Sequence, residues 1–370
     1  MTTYTDLNPS TRILLGPGPS MADPRVLRAM SAPLIGHLDP QFIKIMDEVQ
    51  EMLRTVFQTE NELTIPVSGT GSAAMEAALC NFIEEGDKVL VAVNGYFGER
   101  LIDMAQRYGA KVDRIDRPWG EVFDSAEIET ALKKEKYKLL ALVHAETSTG
   151  ARQPEIQAIT KAAHENGALV VLDTVTSLGG LPLEIDAWDV DIAYSGTQKA
   201  LSCPPGLGPL TIGPRGREAL KNRKSQVANW YLDLTLVEKY WGDNRTYHHT
   251  APISMNYALR EALRLVVEEG LENRFARHQK HAELLWQGLE DLGLPLLVEK
   301  DYRLPTLSTP QLPSGLDDAS VRKRLLSEFN IEVAGGFGPL AGKVWRIGLM
   351  GYSSRKENVT LLLATLKEIL

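Results

Sequence analysis

Two side chains that could do chemistry stand behind short apolar runs in the middle of the sequence. Asp173 ends the run ALVVLD, and Lys199 follows the run DIAYSG, 26 residues further along the chain. A carboxylate after five apolar residues is expected to be buried and to need a partner. If both runs are parallel strands of one sheet, the acid and the amine reach the same sheet edge, where ligands of open α/β sheets bind.

An amine and an acid at one sheet edge are what pyridoxal phosphate requires. A lysine amine condenses with an aldehyde to form a Schiff base. An acid beside the ring nitrogen keeps that nitrogen protonated, so that the ring withdraws electrons. Lys199 and Asp173 are therefore the candidate catalytic pair. A structural ion pair between them is the alternative.

A glycine-rich turn, SGTGS (68–72), joins a predicted strand to a strong helix. Glycines allow close backbone approach, and the helix N-terminus offers free N–H groups to a phosphate. An ordinary capping turn, with Ser72 as the cap, is one alternative. A dinucleotide-binding turn is another, but it requires an acid about 20 residues on, at the end of the next strand. That strand ends at Val93-Asn94, without an acid, which argues against a nicotinamide-dependent dehydrogenase. A P-loop is excluded because no Gly-Lys-Ser/Thr follows the turn.

Four further segments are candidates for ligand contact. NGYFG (94–98) offers aromatic rings for stacking, although most such rings are core residues. The polar loop HAETSTG (144–150) offers hydroxyls or a helix cap. YHHT (247–250) offers a pair of hydroxyls; a metal site is disfavoured because no acid or cysteine cluster accompanies the histidines. Arg346, inside the apolar strand VWRIG, is suited to a carboxylate or to an internal ion pair.

The elements around these residues alternate between helix-like segments and short apolar runs from about residue 40 to 215. Strands are predicted near 62–69 (running into a turn), 88–93, 138–145, 168–175 and 191–196, with helices at 41–57, 72–83, 98–109, 125–134 and 154–166. Such alternation predicts an α/β fold with a mostly parallel sheet covered on both faces. A long helical segment from residue 254, which Gly270 is expected to break, leads into a smaller α+β region.

Composition limits the function classes. Hydrophobic residues make up 44% of the 370 residues, enough for a large core. The net charge of -8 argues against nucleic acid as a partner. Two cysteines make neither a disulfide framework nor a metal cluster. The start lacks a secretory signal and no run is long enough for a membrane helix, so a cytoplasmic location is expected.

Taken together, these motifs resemble the class V, fold-type I aminotransferases, most closely the alanine–glyoxylate/serine–pyruvate group. The resemblance runs almost end to end. It is carried by LLGPGPS (14–20), VFQTEN (56–61), VSGTGSAAMEAAL (67–79), ETSTG (146–150), YSGTQKAL (194–201), PPG (204–206), YHHT (247–250), GLEN (270–273) and KVWRIGLMG (343–351).

The resemblance implies roles for individual residues. Lys199 would carry pyridoxal 5'-phosphate and Asp173 would hold its ring nitrogen. Arg346 would bind the substrate carboxylate, with the backbone near Gly18 closing over it. The remaining cofactor contacts would be made by Thr70, Gly71, Ser72, Phe97, Thr147, Val175, Gln198, Tyr247 and Thr250. Tyr247 and Thr250 would reach the neighbouring subunit's phosphate, which implies a homodimer with shared sites and no metal.

The resemblance also implies an organisation and a reaction. Residues 1–13 would form an arm across the partner, 14–269 a large domain with a seven-stranded sheet, and 270–370 a small domain. The expected reaction is ping-pong transamination, through pyridoxamine phosphate, between alanine or serine and glyoxylate or pyruvate. Other donors, such as ureidoglycine or hydroxykynurenine, stay open. The presence of Lys199, Asp173 and Arg346 argues against a catalytically silent relative. A cysteine desulfurase is set aside because Cys203 is the only cysteine after Lys199.

Two positions depart from the animal members of that group. Phe97 stands where they have a stacking Trp, and Ser72 where they have a His. Phe still stacks, but with less area and no N–H donor. Neither change removes a group that the chemistry needs, but both bear on cofactor affinity and substrate preference.

Overall fold

The computed structural model describes residues 4–370. The helices are α1 (Pro24–Met30), α2 (Pro40–Phe57), α3 (Gly71–Cys80), α4 (Tyr96–Arg107), α5 (Ser125–Leu132), α6 (Ile156–Glu165), α7 (Pro214–Lys221), α8 (Leu234–Trp241), α9 (Ile253–Glu269), α10 (Leu271–Asp291), α11 (Asp318–Phe329) and α12 (Lys356–Ile369). The strands are β1 (Ile13–Leu14), β2 (Leu63–Ser68), β3 (Lys88–Val93), β4 (Lys111–Asp116), β5 (Leu139–Val143), β6 (Ala145–Glu146), β7 (Ala151–Arg152), β8 (Leu169–Asp173), β9 (Ile192–Tyr194), β10 (Leu207–Ile212), β11 (Leu307–Ser308), β12 (Ile331–Glu332), β13 (Ala334–Gly335) and β14 (Trp345–Gly348). Within the described residues, none of these helices is both long and apolar enough to span a membrane.

A seven-stranded sheet, in the order β2-β10-β9-β8-β5-β3-β4, carries the larger part of the described chain. Strands β9, β8, β5, β3 and β4 run parallel, whereas β10 is antiparallel to both of its neighbours. The prediction of a mostly parallel sheet is therefore confirmed. Alternate residues of β5 face two different cores: Leu139, Ala141 and Val143 pack on one side, Leu140 and Leu142 on the other.

Helix α2 illustrates how the sequence sets these elements. Its N-cap is Asp39, whose side chain accepts a hydrogen bond from the backbone of the first turn, as helix N-termini require. Buried residues recur along it at three- and four-residue spacing and form its inward face, among them Phe42, Met46, Val49 and Leu53. The predicted span, 41–57, differs from the observed helix by one residue.

Gly270 ends α9 and separates it from α10, as the sequence predicts. Its φ of +79° lies in a region that favours glycine, and its N–H donates to the carbonyls of Val266 and Val267. The long helical segment is thus two helices that meet at this residue.

A smaller α+β region follows. Strands β11, β14 and β13 form an antiparallel sheet, against which α10, α11 and α12 pack around Trp345 and Leu325. Strand β1 pairs in parallel with β12, so that Leu15 joins this core. The predicted boundaries at 13/14 and 269/270 stay predictions. Residues 1–3 of the predicted arm lie outside the described residues, and Tyr4 and Leu7 are more than nine-tenths exposed.

Candidate active site

The parallel pairing of β8 with β9 places the chemistry-bearing residues at one sheet edge. Asp173, the last residue of β8, is in register with Tyr194, and Lys199 follows β9 shortly afterwards. Asp173 is buried, and Lys199 is 8% exposed. Within residues 4–370 no carboxylate oxygen lies within 4.0 Å of the Lys199 amine, so the two do not form the structural ion pair that was the alternative.

The segment that precedes Ser20 closes over Lys199. The Lys199 amine donates a hydrogen bond to the Pro17 carbonyl, and the Ser20 hydroxyl donates to the Lys199 carbonyl at 2.7 Å. A Cβ at Gly18, whose φ is +111°, would lie 2.8 Å from Lys199 Cδ. A side chain at position 18 would therefore displace the lysine. The structure places Gly18 against Lys199. The role that the resemblance implies for the backbone near Gly18, closing over the substrate carboxylate, stays a prediction.

Burial changes the ionisation of Lys199. Loss of solvation, together with the nearby positive charge of Arg346, lowers the pKa of its amine from 10.5 to about 8. The negative charges of Asp173 and Glu146 act in the opposite direction. A lysine that is partly neutral near physiological pH can act as a nucleophile or as a base.

Asp173 is held by two hydrogen bonds. The Val175 N–H donates to Oδ1 at 2.8 Å, and the Tyr194 hydroxyl donates to Oδ2 at 2.7 Å. Burial nevertheless raises the pKa of Asp173 from 3.8 to about 6, because desolvation outweighs these bonds and the charge of Lys199. A cation placed against Asp173 would lower its pKa. Tyr194, which orients the carboxylate, was not a candidate from the sequence.

The N-terminus of α3 offers unused donors. Its N-cap residue, Thr70, makes no side-chain capping bond. Within the described residues, neither the Gly71 N–H nor the Ser72 N–H has a hydrogen-bond acceptor. A Cβ at Gly71 would lie 3.2 Å from the Gly196 Cα, so this turn packs closely on the chain that leads to Lys199.

Gln198 completes this group, which we call the phosphate cup: Thr70, Gly71, Ser72 and Gln198. The Gln198 Oε1 is buried and has no hydrogen-bond partner in residues 4–370. Buried polar atoms without partners are rare; this oxygen would accept from a donor, whereas the NH2 group of the same amide could donate to a phosphate. Free N–H groups at a helix N-terminus are suited to a phosphate. The cup, the neighbouring amine and the buried acid together fit pyridoxal phosphate.

The start of α4 is capped from a neighbouring loop. Its N-cap, Gly95, has no side chain; instead the Tyr96 N–H donates to the Ser148 hydroxyl at 2.9 Å, and the Phe97 N–H to Glu146 Oε2 at 3.3 Å. A Cβ at Gly95 would lie 2.3 Å from the Glu146 Cγ. The buried carboxylate of Glu146 therefore fixes Phe97, the predicted stacking residue.

Sequence reasoning missed Glu146 as a titratable group of the site. Burial raises its pKa from 4.5 to about 7, with a further contribution from the negative charge of Asp173. The signal in the sequence was the same as for Asp173, because a carboxylate follows a buried strand in both cases. The sequence alone predicts that the loop containing Glu146 offers hydroxyls or a helix cap.

Thr147 and Val175 lie at the same sheet edge. Both are buried, and the Thr147 hydroxyl is hydrogen-bonded to that of Thr176. Val175 follows Asp173 closely and donates its N–H to that carboxylate. The structure thus brings both residues beside the acid, and their predicted cofactor contacts stay predictions.

Arg346 lies on β14, at the junction between the smaller region and the large sheet. Its Nε donates to the Gly335 carbonyl at 2.8 Å, and its guanidinium carbon lies 3.8 Å from the ring centroid of Phe337. No carboxylate within residues 4–370 pairs with it, so the internal ion pair considered as its alternative is not present. Burial lowers its pKa to about 10. Its terminal nitrogens are left for an incoming carboxylate, and Phe337 is a contact that the sequence did not indicate.

Tyr247 and Thr250 stand apart from Lys199. Tyr247 is 56% exposed; its hydroxyl lies 3.5 Å from that of Thr250, and its ring lies 5.1 Å from that of His37. In the described part of the chain neither residue contacts Lys199. Their predicted role, toward another subunit's phosphate, stays a prediction.

The two histidines between them are used in local packing. Nδ1 of His248 and Nδ1 of His249 lie 2.7 Å apart, and Nε2 of His249 lies 2.6 Å from the Ser68 hydroxyl. The His248 ring stacks on Trp230 at 4.4 Å. Burial lowers the pKa of His249 to about 4. Both histidine rings therefore have partners within their own chain.

Neither cysteine is placed to be a nucleophile. Cys203 and Cys80 are both buried, and burial raises the pKa of each thiol to about 12. A thiol with that pKa supplies almost no thiolate at neutral pH. Neither thiol therefore provides the nucleophile that a cysteine desulfurase needs, in agreement with the sequence.

Comparison with known proteins gives consistent matches along nearly the whole chain. The class-V aminotransferase family model matches residues 13–361. A crystal structure of alanine–glyoxylate aminotransferase from Nostoc sp. is 58% identical and has a TM-score of 0.98, with 100% of this chain and 97% of that one covered. The (S)-ureidoglycine–glyoxylate transaminase of Bacillus subtilis is 44% identical over 377 residues, covering 97% of this chain and 90% of the relative. The alanine–glyoxylate aminotransferase of Rattus norvegicus is 41% identical over 363 residues, covering 97% and 87%.

Proposed function

The chain belongs to the class-V aminotransferase family and is a pyridoxal-phosphate enzyme, and we propose that it transfers the amino group of alanine or serine to glyoxylate or pyruvate. One observation carries the substrate class. Arg346 presents a guanidinium without a carboxylate partner, capped by the Phe337 ring, beside the Lys199 amine. Such a group binds one carboxylate through two parallel hydrogen bonds.

The residues of this chain divide the work of transamination. Bound pyridoxal phosphate supplies an aldehyde that accepts the amino group and a protonated ring that withdraws electrons. Lys199 would hold the cofactor and then, as a partly neutral amine, take the proton from the substrate Cα and return it at C4′. Asp173 would keep a proton on the ring nitrogen, since its carboxylate gains stability from an adjacent cation.

Other residues orient and enclose these groups. Glu146 and Ser148 accept hydrogen bonds from the first turn of α4 and thereby hold the backbone that carries the Phe97 ring. The segment through Gly18 covers the amine and excludes water from it. Exclusion of water strengthens each electrostatic contact in the site.

The size of the acceptor follows from the same geometry. Arg346 is the cation left for a substrate carboxylate, and its neighbour Phe337 is apolar. A second carboxylate on the substrate would lack a partner there and would be costly to desolvate. Small monocarboxylic oxo acids therefore fit better than dicarboxylic ones. Both the Nostoc enzyme and the Bacillus subtilis enzyme are named for glyoxylate, which supports glyoxylate as the acceptor.

Initial rates over a donor panel test this proposal. L-alanine and L-serine are expected to give the highest kcat/KM with glyoxylate or pyruvate, and L-aspartate a value lower by at least about tenfold. An enzyme that prefers aspartate would contradict the role given to Arg346. A clear preference for ureidoglycine would favour the alternative donor, which the 44% identity to the Bacillus subtilis transaminase supports.

We further propose a cytoplasmic homodimer. The exposed Tyr247 and Thr250 support the dimer, because within residues 4–370 the hydroxyl of each is hydrogen-bonded to that of the other and not to the phosphate cup. The buried, unpaired Cys80 and Cys203 are consistent with a reducing compartment. Light scattering of the purified protein tests the dimer, and a monomer at micromolar concentration would contradict it.

A further inference from the structure

Arg100 occupies the space between the predicted stacking ring and the phosphate cup. It lies one turn after Phe97 on α4, and its guanidinium carbon is 4.8 Å from the Phe97 ring centroid and 5.2 Å from that of Tyr96. Its terminal nitrogen donates to the Ser72 hydroxyl at 3.1 Å. The side chain therefore joins the first turn of α3 to the first turn of α4.

This guanidinium has no negative partner. Within residues 4–370 no carboxylate oxygen lies within 4.0 Å of it, whereas Arg107, on the same helix, is paired with Asp103 at 3.1 Å. Arg100 is only partly exposed, so water does not fully replace a partner. It shares this condition with Arg346, for which the described residues likewise supply no carboxylate partner.

The charge of the predicted ligand supplies the missing partner. The phosphate cup carries no charge of its own: it offers the N–H groups of Gly71 and Ser72 and the neutral side chains of Thr70, Ser72 and Gln198. A phosphate monoester carries nearly two negative charges at neutral pH. Placing such a group in a partly buried site without a cation is costly. Arg100 is already hydrogen-bonded to one member of the cup.

We propose that Arg100 binds the cofactor phosphate together with Ser72, as the positive charge of the cup. The proposal rests on the assignment of the phosphate to residues 70–72. Its consequence is that affinity for the phosphate-bearing cofactor depends on Arg100, while affinity for the ring does not. The stacking of the guanidinium on Phe97 holds it in place, since arginine packs favourably on aromatic faces.

A pair of ligands that differ only by the phosphate tests this inference. Equilibrium dissociation constants for pyridoxal phosphate and for pyridoxal are measured on the full-length wild-type protein, R100Q and R107Q. R100Q is expected to bind pyridoxal phosphate about tenfold to one hundredfold more weakly, the range of a charge-assisted hydrogen bond. Its affinity for pyridoxal is expected to fall far less, because the charge of Arg100 is only the last of several causes that act on the pKa of Lys199. R107Q, which removes an exposed arginine from the same helix, is expected to behave as wild type with both ligands.

Several outcomes would overturn the inference. Equal losses for the two ligands would mean that Arg100 acts by packing on Phe97, and an unchanged affinity for pyridoxal phosphate would mean that it does not bind phosphate. A raised KM for amino donors with normal cofactor affinity would assign Arg100 to the substrate. R100M keeps an apolar stem against the rings, and it must show the same selective loss even if R100Q folds poorly. A wild-type protein that binds pyridoxal as tightly as pyridoxal phosphate would refute the phosphate cup itself. If the wild-type protein prefers pyridoxal phosphate and R100Q loses that preference, the proposed reaction is left intact.

Discussion

Removing the positive charge of Arg346 is expected to shift the ionisation of Lys199, even in the absence of substrate. After burial, that charge is the largest cause that lowers the pKa of Lys199 from 10.5 to about 8. In an R346Q variant the amine is therefore expected to hold its proton to higher pH. Because only the neutral amine attacks an aldehyde, capture of the cofactor by the apoenzyme is expected to require more alkaline conditions.

The size of the effect follows from the two pKa values. At pH 7.5 an amine with a pKa of about 8 is about one quarter neutral, whereas a free lysine is neutral about one time in a thousand. Burial causes most of that difference, so we assign less than half of it to Arg346. The midpoint of capture should then rise by about 0.5 to 1 pH unit, equivalent to about 0.7–1.4 kcal/mol.

The assay follows the visible absorbance of the lysine-bound cofactor after mixing apoenzyme with pyridoxal phosphate, from about pH 6 to about pH 10. R346K is the matched control because it keeps the charge but loses the bidentate fork. Its capture midpoint is expected to stay close to that of wild type, while its KM for the amino donor rises. An R346Q midpoint at or below the wild-type value would refute the electrostatic argument. Equal shifts in R346Q and R346K would assign the effect to packing.

Three further predictions concern the acids and the subunit arrangement. D173N is expected to lower kcat by at least about hundredfold while cofactor stays bound, because an amide cannot hold the ring nitrogen protonated; near-normal turnover would contradict this. Burial raises the pKa of Glu146 from 4.5 to about 7, so the stability from its protonated form is complete below about pH 4.5 and lost as the pH rises through about 7. Between about pH 5 and about pH 8 the free energy of unfolding of the E146Q apoenzyme should therefore fall less than that of the wild-type apoenzyme, by up to about 3 kcal/mol. Parallel dependences of the two free energies on pH would count against this. Mixing K199A subunits with subunits altered at Tyr247 and Thr250 should restore activity to about a quarter of wild type, if the sites are shared, and no recovery would indicate sites within single chains.

The sheet edge could be predicted because it depends on local pattern. Short apolar runs separated by helical segments indicate parallel strands, and parallel strands bring residues that follow them to one edge. The pattern alone is therefore enough to place Asp173 and Lys199 at one edge, and the parallel register of β8 with β9 confirms that the two strands are neighbours. Gly270 likewise marks the break between α9 and α10.

Two strands of the large sheet were not predicted, for identifiable reasons. Strand β4, KVDRID, is an edge strand whose residues are all exposed or half-exposed, so it has no apolar run to signal it. Strand β10, LGPLTI, contains Pro209, and proline usually argues against a central strand. The Pro209 carbonyl accepts the N–H of Ser195, which follows the last residue of β9, so the N–H that proline lacks would point to the place where β9 has already ended.

The contacts that sequence reasoning missed join elements distant in the chain. Glu146 caps α4 from another loop, and Arg100 reaches Ser72 across two helices. Phe337 covers Arg346 from the smaller region. Each residue has an ordinary structural use, and only the folded arrangement shows that it faces the same site. The predicted domain boundaries and the contacts of Tyr247 depend on assembly and stay predictions.

The most direct test of the account is to identify the lysine that carries the cofactor. Purified enzyme is treated with borohydride, which fixes the cofactor to its amine, and the digested protein is examined by mass spectrometry. The account predicts a reduced cofactor adduct on the peptide that contains Lys199, and no adduct together with no turnover in K199A. An adduct on a different lysine, or K199A with normal turnover, would contradict the central claim.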